Sequence, residues 1–136
     1  MVVADASVVV KWFVEEQDTD TAVSLRDAYI NGQIELAAPS LLSYEVLNAL
    51  RYGDLFDEEE LAVVEQSLVE YGLDLVPFRR IDGLGTVAIE TDLTVYHAAY
   101  LAVAADRNEQ LLTTDEELIE AGTQFADVRH LTEFER

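Results

Sequence analysis

Apolar residues fall in short groups along the chain, separated by acidic or glycine-containing breaks. The first group, Val2 to Ala4, stops at Asp5; after Ser7 come Val8, Val9, Val10, Trp12 and Phe13. This pattern predicts a short buried strand, a turn at Asp5 and Ala6, and a helix from about Ser7. A second helix is predicted from about Thr19 to Ile30. It carries Ala22, Leu25, Arg26 and Tyr29 on one face, and Asn31-Gly32 is its stop. Ile34 to Ala37 reads as a strand. Pro39 stands where a first helical turn would begin, ahead of Leu41, Leu42, Val46, Leu47 and Leu50 at helical spacing and Gly53 as a stop.

Asp57 and Glu60 have the spacing of a capping arrangement. Leu61, Val64, Leu68 and Tyr71 follow at a period of 3.6 residues, a spacing typical of helices, and Gly72 ends the helix. Leu73 to Val76 reads as a strand cut off by Pro77, and Leu84 to about Ile89 as a weaker helix. Thr94 is placed to cap a helix from Val95 to Ala105 that is rich in small residues and so suited to lie close against a sheet. Gln110 to Leu112 is a predicted strand that leaves through Thr113-Thr114-Asp115. A short helix from Asp115 to Ala121 and a last strand, Asp127 to His130, complete the pattern.

Strands alternate with helices throughout, and no repeat or linker interrupts them. The expectation is one domain over residues 1–136 in the α/β class: a three-layer α/β/α sandwich around a mostly parallel sheet of four to five strands. Ligands of such sheets bind beyond the carboxyl ends of the strands. Asp5, after the first strand, and Asp115, after the fourth, stand there.

Composition complicates the picture. Eight Lys and Arg stand against 28 Asp and Glu, a net charge of −20, and Lys11 is the only lysine. A hydrophobic content of 50% separates the chain from disordered acidic tails. The absence of cysteine excludes disulfides, zinc thiolates and thiol catalysis. The longest apolar run, Ala98 to Ala105, is far short of the ~20 residues of a membrane span. No basic leader precedes the first apolar run, so a cytoplasmic location with no membrane contact is expected. Taken alone, the charge argues against a nucleic-acid substrate. In molar salt, however, exposed charges interact over only ~3 Å. Abundant acids with scarce lysine suit a protein from a very salty cytoplasm, a halophile.

Hard cations such as Mg²⁺ or Mn²⁺ prefer oxygen ligands. Bound between carboxylates from different elements, they neutralise a phosphodiester and activate water. Asp5 and Asp115 come from different elements. Glu45, mid-helix among Leu41, Leu42, Val46 and Ala49, is a third candidate, since a carboxylate among apolar neighbours is costly unless paired or metal-bound. Spacing alone leaves other roles open. Asp5 and Asp115 can each cap the helix that follows, and Glu45 can pair with Arg51 or Arg79.

Four blocks narrow the choice. Val2-Val3-Ala4-Asp5-Ala6-Ser7-Val8-Val9-Val10-Lys11-Trp12 resembles the opening of the PIN domain, particularly of the VapC-type toxin ribonucleases. Pro39 to Leu50, with Glu45-Val46-Leu47-Asn48-Ala49-Leu50, is similar to their second motif. Leu93 to Ala102 is similar to the third, and Leu111-Leu112-Thr113-Thr114-Asp115-Glu116-Glu117-Leu118 to the fourth. The blocks occur in family order over nearly the whole chain. The resemblance implies a PIN-like fold and a Mg²⁺- or Mn²⁺-dependent endoribonuclease acting on RNA. It also implies a cognate antitoxin and a homodimer. By motif position Asp5, Glu45 and Asp115 take the metal-carboxylate roles. Thr113 would orient Asp115 or a metal-bound water, and Ser7 would do the same for Asp5.

The third motif departs from the family at His97, where an Asp is usual. Imidazole suits Mn²⁺ and later metals better than Mg²⁺. His97 is therefore a ligand in a Mn²⁺-biased site, a contact to the ligands or the substrate phosphate around three carboxylates, or the mark of a degenerate module. Such a module would bind RNA or a protein partner without cleaving. Asp92, just before the helix, is a possible accessory carboxylate. Trp12, Phe13, Tyr44 and Tyr100 read as core aromatics, His130 as structural, and Lys11 and Arg51 as candidate phosphate contacts. The helices near 20–30 and 57–71 offer apolar surface for a dimer or antitoxin contact. A phospho-acceptor receiver domain is a rival of similar length, but it needs a late lysine that this chain lacks.

The halophile reading predicts that far-UV circular dichroism of the purified chain gains helical signal as KCl rises toward molar concentrations. Full folding in dilute buffer contradicts it.

Overall fold

A computed structural model describes residues 1–135. Five strands form one sheet: β1 (Val2–Ala4), β2 (Leu36–Pro39), β3 (Asp74–Val76), β4 (Gln110–Thr113) and β5 (Asp127–His130). Their order is β3-β2-β1-β4-β5 and every pairing is parallel. The helices are α1 (Ala6–Val9), α2 (Thr19–Ile30), α3 (Leu42–Tyr52), α4 (Glu58–Tyr71), α5 (Leu84–Thr91), α6 (Val95–Arg107) and α7 (Glu116–Gly122). Short 3₁₀ turns cover Val10–Trp12, Phe78–Arg80 and Leu131–Glu133. The expected α/β class and parallel sheet are therefore present, with five strands.

The connections step outward from β1 to β3, then cross back to β4 and on to β5. Right-handed crossovers place α1 to α4 on one face of such a sheet and α5 to α7 on the other. The contacts agree: α3 packs on α1 and α4, and α5 on α6. β1 and β2 are buried at every position, as expected for strands covered on both faces. α6 is buried from Ala98 to Ala104 and touches β1, β2, β4 and β5. Its alanines let the helix axis approach the sheet, the role predicted for this segment.

Local signals account for most boundaries. The Asp57 carboxylate accepts from the Glu60 amide at 2.8 Å, and the Glu60 carboxylate accepts from the Asp57 amide at 3.1 Å, a complete capping box for α4. Gly72 ends α4 at φ +63°, a conformation that costs glycine little. The Trp12 indole donates to the Ala22 carbonyl at 2.9 Å and meets Tyr71 edge-on at 5.0 Å between ring centroids. The Tyr29 hydroxyl donates to the Tyr71 carbonyl at 2.7 Å, tying α2 to the end of α4.

Three expectations need correction. Pro39 is the last residue of β2, not the first turn of α3. It pairs with Val76, at a point where the β2 register has run past the end of β1, so its missing N–H breaks no central hydrogen bond. Tyr44 is 77% exposed and lies on the outer face of α3, not in the core. Lys11 is buried and its ammonium lies 3.0 Å from Glu16, so it presents no charge to a phosphate. Among the described residues no helix is long and apolar enough to cross a membrane.

Candidate active site

Parallel pairing puts the carboxyl ends of all five strands at one edge. β1 and β4 are neighbours at the centre, with Ala4 opposite Leu112, and the Asp5 amide donates to the Leu112 carbonyl at 3.0 Å. Asp5 and Asp115 therefore leave adjacent strands side by side. Asp5 is 4% exposed. A buried carboxylate needs donors, and two hydroxyls converge on its Oδ2: Ser7 Oγ at 2.7 Å and Thr113 Oγ1 at 2.8 Å. Each hydroxyl has a single proton. With both directed to Asp5, the hydroxyl oxygens accept from the backbone: Thr113 Oγ1 from the Asp115 amide at 3.0 Å, Ser7 Oγ from the Thr114 amide at 3.1 Å. Proton and lone-pair accounting thus closes around Asp5, Ser7, Thr113 and the loop to Asp115. Asp5 occupies the N-cap position of α1 without capping it through its side chain.

Asp115 does cap its helix. Its Oδ1 accepts from the Glu117 and Leu118 amides at 2.9 and 3.2 Å. Its Oδ2 lies 3.2 Å from Nε2 of His97, at the start of α6. Thr94 caps α6, its hydroxyl accepting from the His97 amide at 3.2 Å, and so fixes where this imidazole stands.

Glu45 enters from α3. It pairs with neither Arg51 nor Arg79; the Tyr100 hydroxyl donates to its Oε1 at 2.6 Å. Burial is the main influence on Glu45 and raises its pKa. The Tyr100 hydrogen bond lowers it, repulsion from Asp5 raises it, and His97 lowers it; the net shift is upward. Burial foremost, then the negative charge of Asp5 and the bond to Glu45, push the Tyr100 phenol far above its ordinary range, so it remains a donor. Tyr100 was expected only as core. It is fully buried, and its hydroxyl also anchors a site carboxylate. The signal was its chemistry: a tyrosine among buried alanines must find a partner for its O–H. Ala49, expected beside Glu45 as apolar cover, is exposed.

Asp5, Ser7, Thr113, Asp115 and His97 form one connected group, and Glu45 feels both Asp5 and His97. Asp92 stands outside it: exposed, at the C-cap of α5 with φ +60°, and joined to the group by no hydrogen bond among the described residues. His130 caps the last 3₁₀ turn, its Nδ1 accepting from the Thr132 amide at 3.1 Å, a structural role as expected.

All three carboxylates follow one plan. One oxygen is anchored by protein donors: Asp5 Oδ2, Asp115 Oδ1 and Glu45 Oε1. The other accepts no hydrogen bond from the described residues, although that of Asp115 faces His97 Nε2 at 3.2 Å. This oxygen-rich donor set fits a hard divalent cation. As the side chains stand, no three acidic or histidine groups among the described residues are drawn close enough to enclose an ion.

A family model for the PIN domain matches residues 2–123. The chain belongs to the PIN domain family, whose members are in general nucleases that use divalent metals. No curated protein matches it by sequence. Similar solved structures include PAE2754 from Pyrobaculum aerophilum, with TM-score 0.70 and 22% identity over 96% of this chain and 83% of that one. FitAcB from Neisseria gonorrhoeae aligns with TM-score 0.68 and 15% identity, covering 98% of this chain and all of that one. FitAB bound to an IR36 DNA fragment aligns with TM-score 0.67 and 16% identity over 100% and 99%. At these identities the likeness speaks for the fold.

The raised Glu45 pKa has a consequence for stability. The proton is held more tightly in the folded chain, so its stabilisation is complete below the unfolded value near 4.5 and is lost as pH rises through the folded value. At neutral pH the charged form therefore costs stability. Glu45→Gln keeps the acceptor for Tyr100 and removes the charge. In high salt with EDTA its melting temperature should exceed that of the wild type by roughly 2–5 °C at neutral pH, the gap closing as pH falls toward 4.5. An unchanged or lower melting temperature at neutral pH contradicts this.

Proposed function

We propose that this chain is a metal-dependent endoribonuclease of the VapC toxin type, working with Mg²⁺ or Mn²⁺ and held in check by a cognate antitoxin. The observation that carries the reading is the shared plan of Asp5, Glu45 and Asp115, each anchored through one oxygen at the carboxyl edge of a parallel sheet. These three would hold the metal. When bound, it supplies neutralisation of the phosphodiester and activation of water. The chain's own groups do the positioning. Ser7 and Thr113 fix Asp5, the backbone at Glu117 and Leu118 fixes Asp115, and Tyr100 holds Glu45.

His97 stands against Asp115 Oδ2, which favours a role beside the carboxylates over that of an independent ligand. There it orients Asp115 and replaces a fourth negative charge, easing the approach of phosphate. Binding without cleavage on the same fold is the rival, and His97 is the residue that motivates it. A homodimer and an antitoxin contact fit the exposed apolar side chains Ile30 on α2 and Val63 and Val69 on α4. A halophilic source fits the −20 charge.

Cleavage of a labelled single-stranded RNA in molar KCl tests the reading. Wild type should cut with Mg²⁺ or Mn²⁺ and not in EDTA. Asp5→Asn should lose more than the ~10–100-fold typical of removing an outer partner. His97→Asp should retain activity and shift the metal preference toward Mg²⁺. A folded wild type that cuts nothing with either ion, while still binding RNA, establishes the rival.

A further inference from the structure

The chain has few cations, and their placement is uneven. Among the described residues Lys11, Arg26, Arg107 and Arg129 each face a carboxylate, at 3.0, 3.3, 2.6 and 3.0 Å. Arg51 lies over the Tyr52 ring at 4.9 Å. Arg79 and Arg80 have neither a carboxylate partner nor a ring among the described residues, although acids outnumber bases by more than three to one. Both are exposed, in the 3₁₀ turn that leaves β3 at the carboxyl edge of the sheet. The first residue of that turn is Phe78, 77% exposed.

Phe78 borders an apolar cleft of about 280 Å³, lined also by Pro39, Leu41, Leu84, Val95 and Tyr96. Tyr96 is 64% exposed. Two helical registers place this cleft near the acid group. Leu41 immediately precedes α3, and Glu45 lies four residues further; Tyr96 lies in the first turn of α6, and Tyr100, the Glu45 partner, is four residues further. Positions four apart share a helix face.

We propose that this cleft is the substrate-recognition subsite, in which an unpaired base of single-stranded RNA lies against Phe78 and Tyr96 while Arg79 and Arg80 hold the neighbouring phosphates. The proposal rests on the ribonuclease reading above and adds where the strand lies. Charge complementarity selects this occupant. A chain of net charge −20 repels a polyanion least where cations are left without internal partners, and among the described residues Arg79 and Arg80, left so, directly follow the exposed Phe78 in one turn. Unstacked bases bind aromatic faces, and this attraction survives the high salt that weakens phosphate contacts. The cleft is at the small end of ligand pockets, a size suited to one flat ring.

The test is fluorescence anisotropy of a fluorescein-labelled single-stranded RNA of mixed sequence, in EDTA so that nothing is cut, over a KCl series in which circular dichroism shows each variant folded. Phe78→Ala and Tyr96→Ala should each weaken binding about fivefold or more, with the salt slope unchanged. The double variant Arg79→Ala, Arg80→Ala should weaken binding and reduce the slope of log affinity against log salt by roughly 1.4, the value for two single-strand phosphate contacts. Ile89→Ala, outside the cleft, should bind as wild type does. Calorimetry with MnCl₂ should show Phe78, Tyr96, Arg79 and Arg80 dispensable for metal binding, which separates this proposal from the catalytic one. Wild-type affinity in the cleft variants, or no RNA binding by wild type, overturns it whatever the metal site does. So does a wild-type dimer that Phe78→Ala or Tyr96→Ala converts to monomer, because the occupant is then a second copy of the chain.

Discussion

The site depends on how the Asp5 carboxylate is held beneath the edge of the sheet. Buried at 4% exposure, it would be expensive to keep charged without donors. Ser7, two residues along, and Thr113, from the neighbouring strand, supply them, and the same hydroxyls take the amides of Thr114 and Asp115. One hydrogen-bonded knot therefore satisfies a buried charge, closes the β4–α7 loop and sets Asp115 beside Asp5. The all-parallel order makes it possible, because only adjacent parallel strands deliver both exits to the same edge.

Around that knot the charges are arranged against stability. Glu45 is half-buried, repelled by Asp5, and held by one short bond from Tyr100. Such clustering of like charges is a cost that functional sites bear and cores avoid. It gives meaning to the net charge. On the proposed function, a few acids would form a pocket that attracts cations, and the many others would cover a surface that salt screens. The bases are divided in the same way. Among the described residues four face nearby acids, Arg51 lies over Tyr52, and Arg79 and Arg80 stand exposed without such partners.

Much of this was legible in the chain. Asp5 and Asp115 follow apolar strands, Thr113 ends one, and alternation of strands and helices implies a parallel sheet, so their meeting at one edge followed from pattern and topology together. Helix ends at Gly72 and Asp57 were readable because the cause is local. The misreadings have equally definite causes. Pro39 fits a first helical turn or a strand end equally well, and only the register against β1 and β3 decides. Tyr44 sits at an apolar-looking position of a helix whose buried stripe is narrower than its apolar content. The Tyr100–Glu45 and His97–Asp115 contacts join distant segments, and no local spacing encodes them.

Calorimetric titration of MnCl₂ into metal-free wild type and Thr113→Val, in high salt, tests the central claim most directly: that a hydroxyl knot holds Asp5 ready for a cation. Binding by the wild type is expected, weakened ~10–100-fold in the variant, because Thr113 positions Asp5 and does not itself supply the charge. A folded wild type that binds no Mn²⁺, or a folded variant that binds it equally well, would contradict the claim.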